Sequence, residues 1–400
     1  MPVSFTRKEM LLILVMALVQ FTHIVDFMIV MPLGKQFMES MQISPGQFSM
    51  IVSSYAFSAF VMGLGSAMLV DRYDRKRALM VLYVGFTLGT LLCAFAPEYW
   101  TFLAARCMTG AFGGVLVGLV LSIIGDTFSY ERRASATGWV MTAFSLASVL
   151  GVPAGISLAA VFGLRAPFFV IGLLSVGVIF LMGYTVPEMR DHFEQDSSTR
   201  RPAAIWAAIF ADRNQVLALL FTVVLMLGHF SIIPFIAPYM QFNIGFSDQQ
   251  VALIYLIGGS LTAVLLPVVG QIADRIGNAT VFAVASGLAL VSIFIITNLP
   301  PVTLVVALCA TSSFFIVASG RSVPATTMVT SVVSPQRRAS FMSVRTSVNN
   351  LALGLASSLA GLIVIEKPDH SLGNFEWVGY FAIAMSILAI WLAHKLKAIA

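Results

Sequence analysis

Residues 10–33 read MLLILVMALVQFTHIVDFMIVMPL. A bilayer core about 30 Å thick is crossed by roughly 20 apolar residues in a helix. This stretch is long enough, and its one charged residue is Asp26. It is too long for the core of a signal peptide and lacks a small-residue cleavage site, so it reads as a retained first membrane helix. The same character extends over the chain. Of 400 residues 58% are hydrophobic, against 23 Lys and Arg and 18 Asp and Glu. A soluble chain of this length carries on the order of 100 charges. A soluble enzyme is excluded, as is a disordered or fibrous protein. The solvent is lipid.

Eleven further apolar runs follow. The twelve cover about 9–33, 47–70, 78–96, 99–125, 136–163, 166–187, 214–241, 248–273, 279–298, 301–330, 340–365 and 375–396. The one long polar break separates an expected six-helix bundle at 1–187, a cytoplasmic linker at 188–213 and a second six-helix bundle at 214–400. Basic residues gather on one side, from Arg7 and Lys8 through Arg75, Lys76, Arg77, Arg132 and Arg133 to Arg337, Arg338, Lys395 and Lys397. The other side holds Lys35, Arg165 and Lys367. By the positive-inside rule both termini and the linker are cytoplasmic. The net charge of +5 is thereby a topology signal, and nucleic-acid binding is not needed to explain it. Cys93, Cys107 and Cys309 show no disulfide or metal spacing and read as small buried hydrophobes.

The halves repeat. Arg132-Arg133-Ala134-Ser135 recurs 205 residues later as Arg337-Arg338-Ala339-Ser340. His23 and Pro32 recur 206 residues on as His229 and Pro238, and Asp71-Arg72 recurs 203 residues on as Asp274-Arg275. A parallel six-helix repeat implies a pseudo-two-fold axis along the membrane normal, with a site between the halves.

These landmarks resemble the major facilitator superfamily over the whole chain. The family's loop pattern, Gly-x-x-x-Asp-Arg-x-Gly-Arg-Lys, is matched by Gly270 to Gly277 through eight positions, departing at Asn278. The first copy keeps Asp71, Arg72, Arg75 and Lys76 but has Ala67 and Asp74 in place of the glycines. Arg106-Cys-Met-Thr-Gly110 resembles the family's fourth-helix element, and Gly151-Val-Pro153-Ala-Gly155 resembles the fifth-helix motif of drug:proton antiporters. The resemblance implies an all-α membrane protein of twelve helices in two six-helix bundles, which transports by alternating access. It implies a monomer. It also implies a charge relay of Asp71, Arg75 and Asp126, in which the Asp meets the N-terminus of helix eleven.

Ionisable residues inside apolar runs are few, and such residues face a cavity or a partner. Asp26 lies about seven residues before the outer end of helix one and Arg106 about seven after the outer start of helix four, which places both roughly 10 Å deep. Burial disfavours a carboxylate's charge and a neighbouring guanidinium favours it, so Asp26 is the expected proton site and Arg106 the fixed charge. The alternative is a permanent ion pair holding two helices together. His23 shares a helix face with Asp26, and His229 is its repeat mate; either they extend the proton path or they are neutral groups bonded across an interface. Arg321 and Arg345 either attract an anionic substrate group or answer helix-end carbonyls at a gate, with the gate favoured for Arg345 and Asn349 and Asn350 as expected neighbours of Arg321. Pro153 with Gly151 and Gly155 lets helix five bend against the other half, while Phe27 and Met141 are expected to line an adaptable apolar cavity.

The sequence therefore reads as a cytoplasmic-membrane antiporter that exports a small drug-like or sugar compound against inward proton flow. Its partners are a small-molecule substrate, protons and membrane lipid. The alternatives are a uniporter or proton symporter for a sugar, amino acid, lipid or organic anion, and a non-transporting membrane receptor. No nucleophile–base set, metal cluster or phosphate-cradling loop appears, so no enzyme activity, cofactor or metal is expected.

Overall fold

The computed structural model describes residues 5–69, 74–188, 202–334 and 337–397. Helices long and apolar enough to cross a membrane number twelve among them: Arg7–Ile29, Pro45–Gly65, Arg75–Phe95, Tyr99–Thr127, Arg132–Phe162, Ala166–Thr185, Arg213–Phe242, Asp248–Ile276, Asn278–Thr297, Leu304–Thr330, Ser340–Ile363 and Phe375–Ala393. In lipid every backbone N–H and C=O must find a partner inside the segment, and a helix supplies it. Polar residues set the starts. Asp74 accepts from Arg77 N, Asp212 accepts from Asn214 N and Gln215 N, and Ser247 with Gln250 forms a capping box before the eighth span. Gly277, at φ 94, both ends the eighth span and opens the ninth. Only glycine adopts that left-handed backbone without a Cβ penalty, which is why it closes the Asp274-Arg275-Ile-Gly element.

Three spans are interrupted, each for one reason. The fifth passes through a π-helical turn at Ala147–Gly151, the seventh breaks between Phe230 and Ile233, and the tenth breaks at Arg321 between Gly320 and Ser322. Pro153, Pro234 and Pro324 follow these breaks. A proline offers no N–H to the carbonyl four residues earlier, which strands Val149, Phe230 and Gly320. Pro267, by contrast, lies within the unbroken eighth span.

Internal packing divides the chain into two units, Met1–Ile29 with Ser54–Pro202, and Val30–Ser53 with Ala203–Ala400. The first is built around Val15, Met16, Val19, Phe86, Leu116, Ile123 and Val178. The second is built around Phe221, Phe282, Val329, Phe341 and Ala389. Packing thus cuts the chain differently from the repeat. The stretch after the first span carries a short helix, Gly34–Met41, and packs within the second unit. There the Phe48 ring meets Phe235 edge-on at 5.9 Å. Ser357 Oγ donates to Ser49 O at 3.3 Å, and a Cβ on Gly361 would lie 2.2 Å from Ser49 Cβ, so small residues let the second and eleventh spans touch.

Residues 189–201 of the expected linker lie outside the described residues. The part after them is not a loop. Pro202–Ala211 is a helix whose Ile209 joins the second core, with Trp206 packed against it. The run Ala203 to Ala211 holds only apolar side chains, and burial of Ile209 and Trp206 outweighs the polar character of the segment before it. A two-residue-per-strand hairpin, Ile365–Glu366 with Leu372–Gly373, joins the last two spans. Asn243 holds it by accepting from Leu372 N at 3.0 Å and donating to Leu372 O at 2.9 Å. Of the cysteines only Cys93 is buried; Cys107 and Cys309 are exposed. An apolar helix position in a bilayer has no need to be inside the protein.

Candidate functional site

The first span delivers Asp26 into the interior of the first unit, where its exposure is 0% and that of Arg106 is 1%. Arg106 Nη1 donates to Asp26 Oδ2 at 2.7 Å, and Thr90 Oγ1 donates to Oδ1 at 3.1 Å. Three spans, the first, third and fourth, thus meet at one carboxylate. The guanidinium carbon also lies 4.8 Å above the Tyr55 ring, whose π face attracts a cation. Tyr55 Oη bonds His23 Nε2 at 2.6 Å, and Phe27 packs on the same tyrosine at 5.1 Å between ring centroids. His23 Nδ1 and Arg106 Nε are buried without a hydrogen-bond partner among the described residues.

Glycines on the fourth span make this cluster possible. A Cβ on Gly110 would lie 2.2 Å from Tyr55 O, and one on Gly113 would lie 2.6 Å from Tyr55 Oη and 2.9 Å from His23 Cδ2. The Arg106-x-x-x-Gly110 element therefore places a cation and, one turn on, a gap for the second span's backbone. Tyr55 and Thr90 carry no sequence signal that could have found them; they are ordinary residues in apolar runs.

The fifth-span motif acts within its own unit. A Cβ on Gly151 would lie 2.3 Å from Val25 Cγ2, and one on Gly155 would lie 2.5 Å from Ile29 Cδ1. The glycines on either side of Pro153 face Val25 and Ile29, so the π-helical turn before the proline packs closely on the first span. Met141, expected in a cavity, is 48% exposed.

Of the expected gate, Asp71 and Arg72 lie outside the described residues. Arg75 is buried, and its Nε donates to Asp126 Oδ2 at 3.2 Å. Asp274 and Arg275 are exposed at the end of the eighth span. Lys76, expected only as a topology signal, donates to Gly183 O at 2.9 Å. That carbonyl lies in the last turn of the sixth span, where unpaired carbonyls favour a cation. Two further contacts had no sequence signal beyond charge. Arg132 donates to both oxygens of Glu9, at 2.9 and 2.7 Å, and its guanidinium packs on Phe5 and Phe128.

In the second unit Arg321 is 1% exposed at the break in the tenth span. Its Nη1 donates to Ser386 Oγ of the twelfth span at 2.9 Å. The expected neighbours Asn349 and Asn350 are half-buried on the eleventh span and make no such bond to it; the break turns the side chain toward the twelfth span instead. Arg345 Nη2 donates to Thr326 Oγ1 at 3.2 Å. The His229 ring stacks on Phe314 at 6.4 Å, and its Nδ1 is buried without a partner among the described residues.

The family model described as Major Facilitator Superfamily matches residues 16–322 and 222–397. The "Uncharacterized MFS-type transporter YwfA" of Bacillus subtilis (strain 168) is 26% identical, covering 86% of this chain and 84% of that protein. A "Probable sugar efflux transporter" of Pasteurella multocida (strain Pm70) is 25% identical over 57% of this chain and 55% of that protein. Among solved structures, a D-xylose-proton symporter superposes with a TM-score of 0.77 at 15% identity, covering 98% of this chain and 99% of the other.

Proposed function

This chain belongs to the Major Facilitator Superfamily and is a multi-pass membrane transporter rather than an enzyme; from that premise we propose that it is a proton-coupled antiporter exporting a small drug-like or sugar compound. The observation that carries the reading is the carboxylate of Asp26, shut inside a membrane helix and held by Arg106 and Thr90. A protein stable in lipid gains little from such a pair, since apolar side chains of similar volume serve as well or better. A carboxylate that exchanges its ion-pair partner for a proton, however, is a coupling device.

In this reading a proton from outside binds Asp26 and frees Arg106. The guanidinium keeps its charge, because arginine does not deprotonate in proteins. When the pair closes again on the inward side, the proton leaves. Tyr55 links His23 to the face of Arg106, which makes His23 the next carrier on the path. His229 is its counterpart in the second repeat. Phe27, beside Tyr55, and Met141 are the first unit's substrate-facing residues, and Arg321, Asn349 and Asn350 are the second unit's. Asp71, Arg72, Arg75 and Asp126 are the gating residues of the first unit and Asp274, Arg275 and Arg345 those of the second, while Gly151, Pro153 and Gly155 set the packing of the fifth span on the first. The two six-helix sequence repeats, 1–187 and 214–400, are the halves of a monomer in the cytoplasmic membrane with both termini inside. The name of the Pasteurella relative supports export as the direction and sugars as one substrate class.

The test uses proteoliposomes loaded with a pH-sensitive dye and supplied with lactose or ethidium. An imposed pH gradient should drive accumulation of a transported compound and substrate should release protons. Asp26→Asn should abolish both. Unchanged proton coupling in that variant removes Asp26 from the mechanism.

A further inference from the structure

We propose that Arg321 is a binding site for an oxyanion of the transported compound, a carboxylate or phosphate monoester, held side-on by Nε and Nη2. The inference rests on the transporter reading above and adds the class of group the substrate carries.

Arg321 is as deeply buried as Arg106, but its surroundings differ in charge. Nη1 has Ser386 Oγ, a neutral acceptor. Nε and Nη2 are buried and have no hydrogen-bond partner among the described residues. These two nitrogens form one edge of the guanidinium, with their N–H bonds running parallel. That edge is the fork that matches the two oxygens of a carboxylate or phosphate. No carboxylate among the described residues is paired with it, whereas Arg106 has Asp26. The repeat makes the contrast pointed. The position 206 residues on from Asp26, the offset that relates His23 to His229, is Ile232. The position 206 residues on from Arg106 is Ser312, so Arg321 is an arginine of the second half's own, and with no acid paired to it among the described residues a bound ligand is left to supply the negative charge.

Other buried polar groups of the second unit are unpaired as well. In the first unit Tyr55 Oη and His23 Nε2 bond each other, and of these two side chains His23 Nδ1 alone is left without a partner among the described residues. In the second unit Tyr255 Oη and His229 Nδ1 are both buried without partners among the described residues. They are joined by a row of rings: His229 stacks on Phe314, Phe314 meets Phe315 at 5.8 Å, and Phe315 meets Tyr255 at 5.5 Å. An unpaired buried cation in a unit that also holds unpaired buried polar atoms and a row of aromatic faces suits an organic anion with a flat apolar body. It does not suit a wholly neutral sugar, which would leave the charge uncompensated.

The test is equilibrium binding to the full chain in neutral detergent, with naphthoate and naphthyl phosphate as probes and naphthamide as the neutral isostere. The oxyanions should bind at least about tenfold more tightly than the amide and raise the melting temperature. Arg321→Gln should erase the preference, and Arg321→Lys, a point charge without the fork, should retain only part of it. Without ligand, Arg321→Met should melt no lower than the parent, because it removes an uncompensated buried charge. Equal affinity for oxyanion and amide overturns the proposal, as does a preference that survives Arg321→Gln or a fall in the ligand-free melting temperature of Arg321→Met. Short-chain phosphatidylglycerol and phosphatidylcholine form the second arm. Stabilisation by phosphatidylglycerol with none by naphthoate or naphthyl phosphate would make the group a lipid phosphate and overturn the substrate assignment. Binding in detergent needs no pH gradient, so a failure here leaves proton coupling standing, and a failure of coupling in proteoliposomes leaves this site standing.

Discussion

Arg106 Nη1 donates to Asp26 Oδ2 at 2.7 Å across 80 residues of sequence, with both side chains closed off from the surface. Removing one member of such a pair leaves an uncompensated buried charge, whereas removing both does not. Asp26→Leu alone should cost about 3–5 kcal/mol of stability, and the double change Asp26→Leu, Arg106→Met should recover most of it. Unfolding in mixed detergent micelles measures both. A double variant no more stable than the single one would mean that the pair does not act as a unit.

Tyr55 serves His23 through its hydroxyl and Arg106 through its ring. Tyr55→Phe deletes only the first and should cost about 1–3 kcal/mol, since a buried acceptor or donor is left unpaired. Tyr55→Leu also deletes the ring and should cost about 0.5–2 kcal/mol more. If the two variants unfold together, the guanidinium does not use the aromatic face.

Three glycines of the membrane helices rank by what a Cβ would meet. At Gly110 it strikes the Tyr55 backbone, at Gly151 the movable Val25 side chain, and at Gly118 nothing within 4 Å. Gly110→Ala should therefore be the most destabilising, by about 3 kcal/mol or more, and Gly151→Ala should cost about 1–3 kcal/mol. Gly118→Ala should stabilise by about 0.5–1 kcal/mol through helix propensity alone. Melting temperatures in one detergent give the order, and a reversed order of Gly110 and Gly151 would refute the packing argument.

Glu9 and Arg132 tie the first span to the fifth through two parallel bonds, both side chains being partly exposed. Solvent screening limits the contribution, so Glu9→Gln should cost about 1 kcal/mol or less and the loss should shrink as salt is raised. Arg132→Ala also gives up the contacts with Phe5 and Phe128 and should cost more, with a salt-independent remainder. A salt-independent effect of Glu9→Gln would show that the ion pair is not its origin.

Much of this was legible in the chain itself. The twelve spans follow from apolar length, because lipid enforces helix wherever the backbone has no water. The family follows from motifs around Asp274, Arg106 and Pro153. The three interruptions were legible in principle, since each accompanies a proline four residues past the carbonyl it strands. The helix at Pro202–Ala211 was hidden by the polar residues before it, and the partner of Arg321 by the break that redirects its side chain. Depth along a helix placed Asp26 and Arg106 at one level, but depth carries no azimuth.

The sequence by itself determined the solvent, the number of spans, the repeat and the short roll of charges that lipid makes costly. Those are one-dimensional properties, set by transfer free energy and hydrogen-bond satisfaction along a single segment. Only the tertiary structure decided who meets whom: that Arg106 finds Asp26 and the ring of Tyr55, and that Arg321 finds a serine and, among the described residues, no acid. Helix rotation and close approach at Gly110 and Gly113 fix those meetings, and they arise from packing between spans far apart in sequence. The charge of each arginine was readable from its letter; whether the chain neutralises it was not.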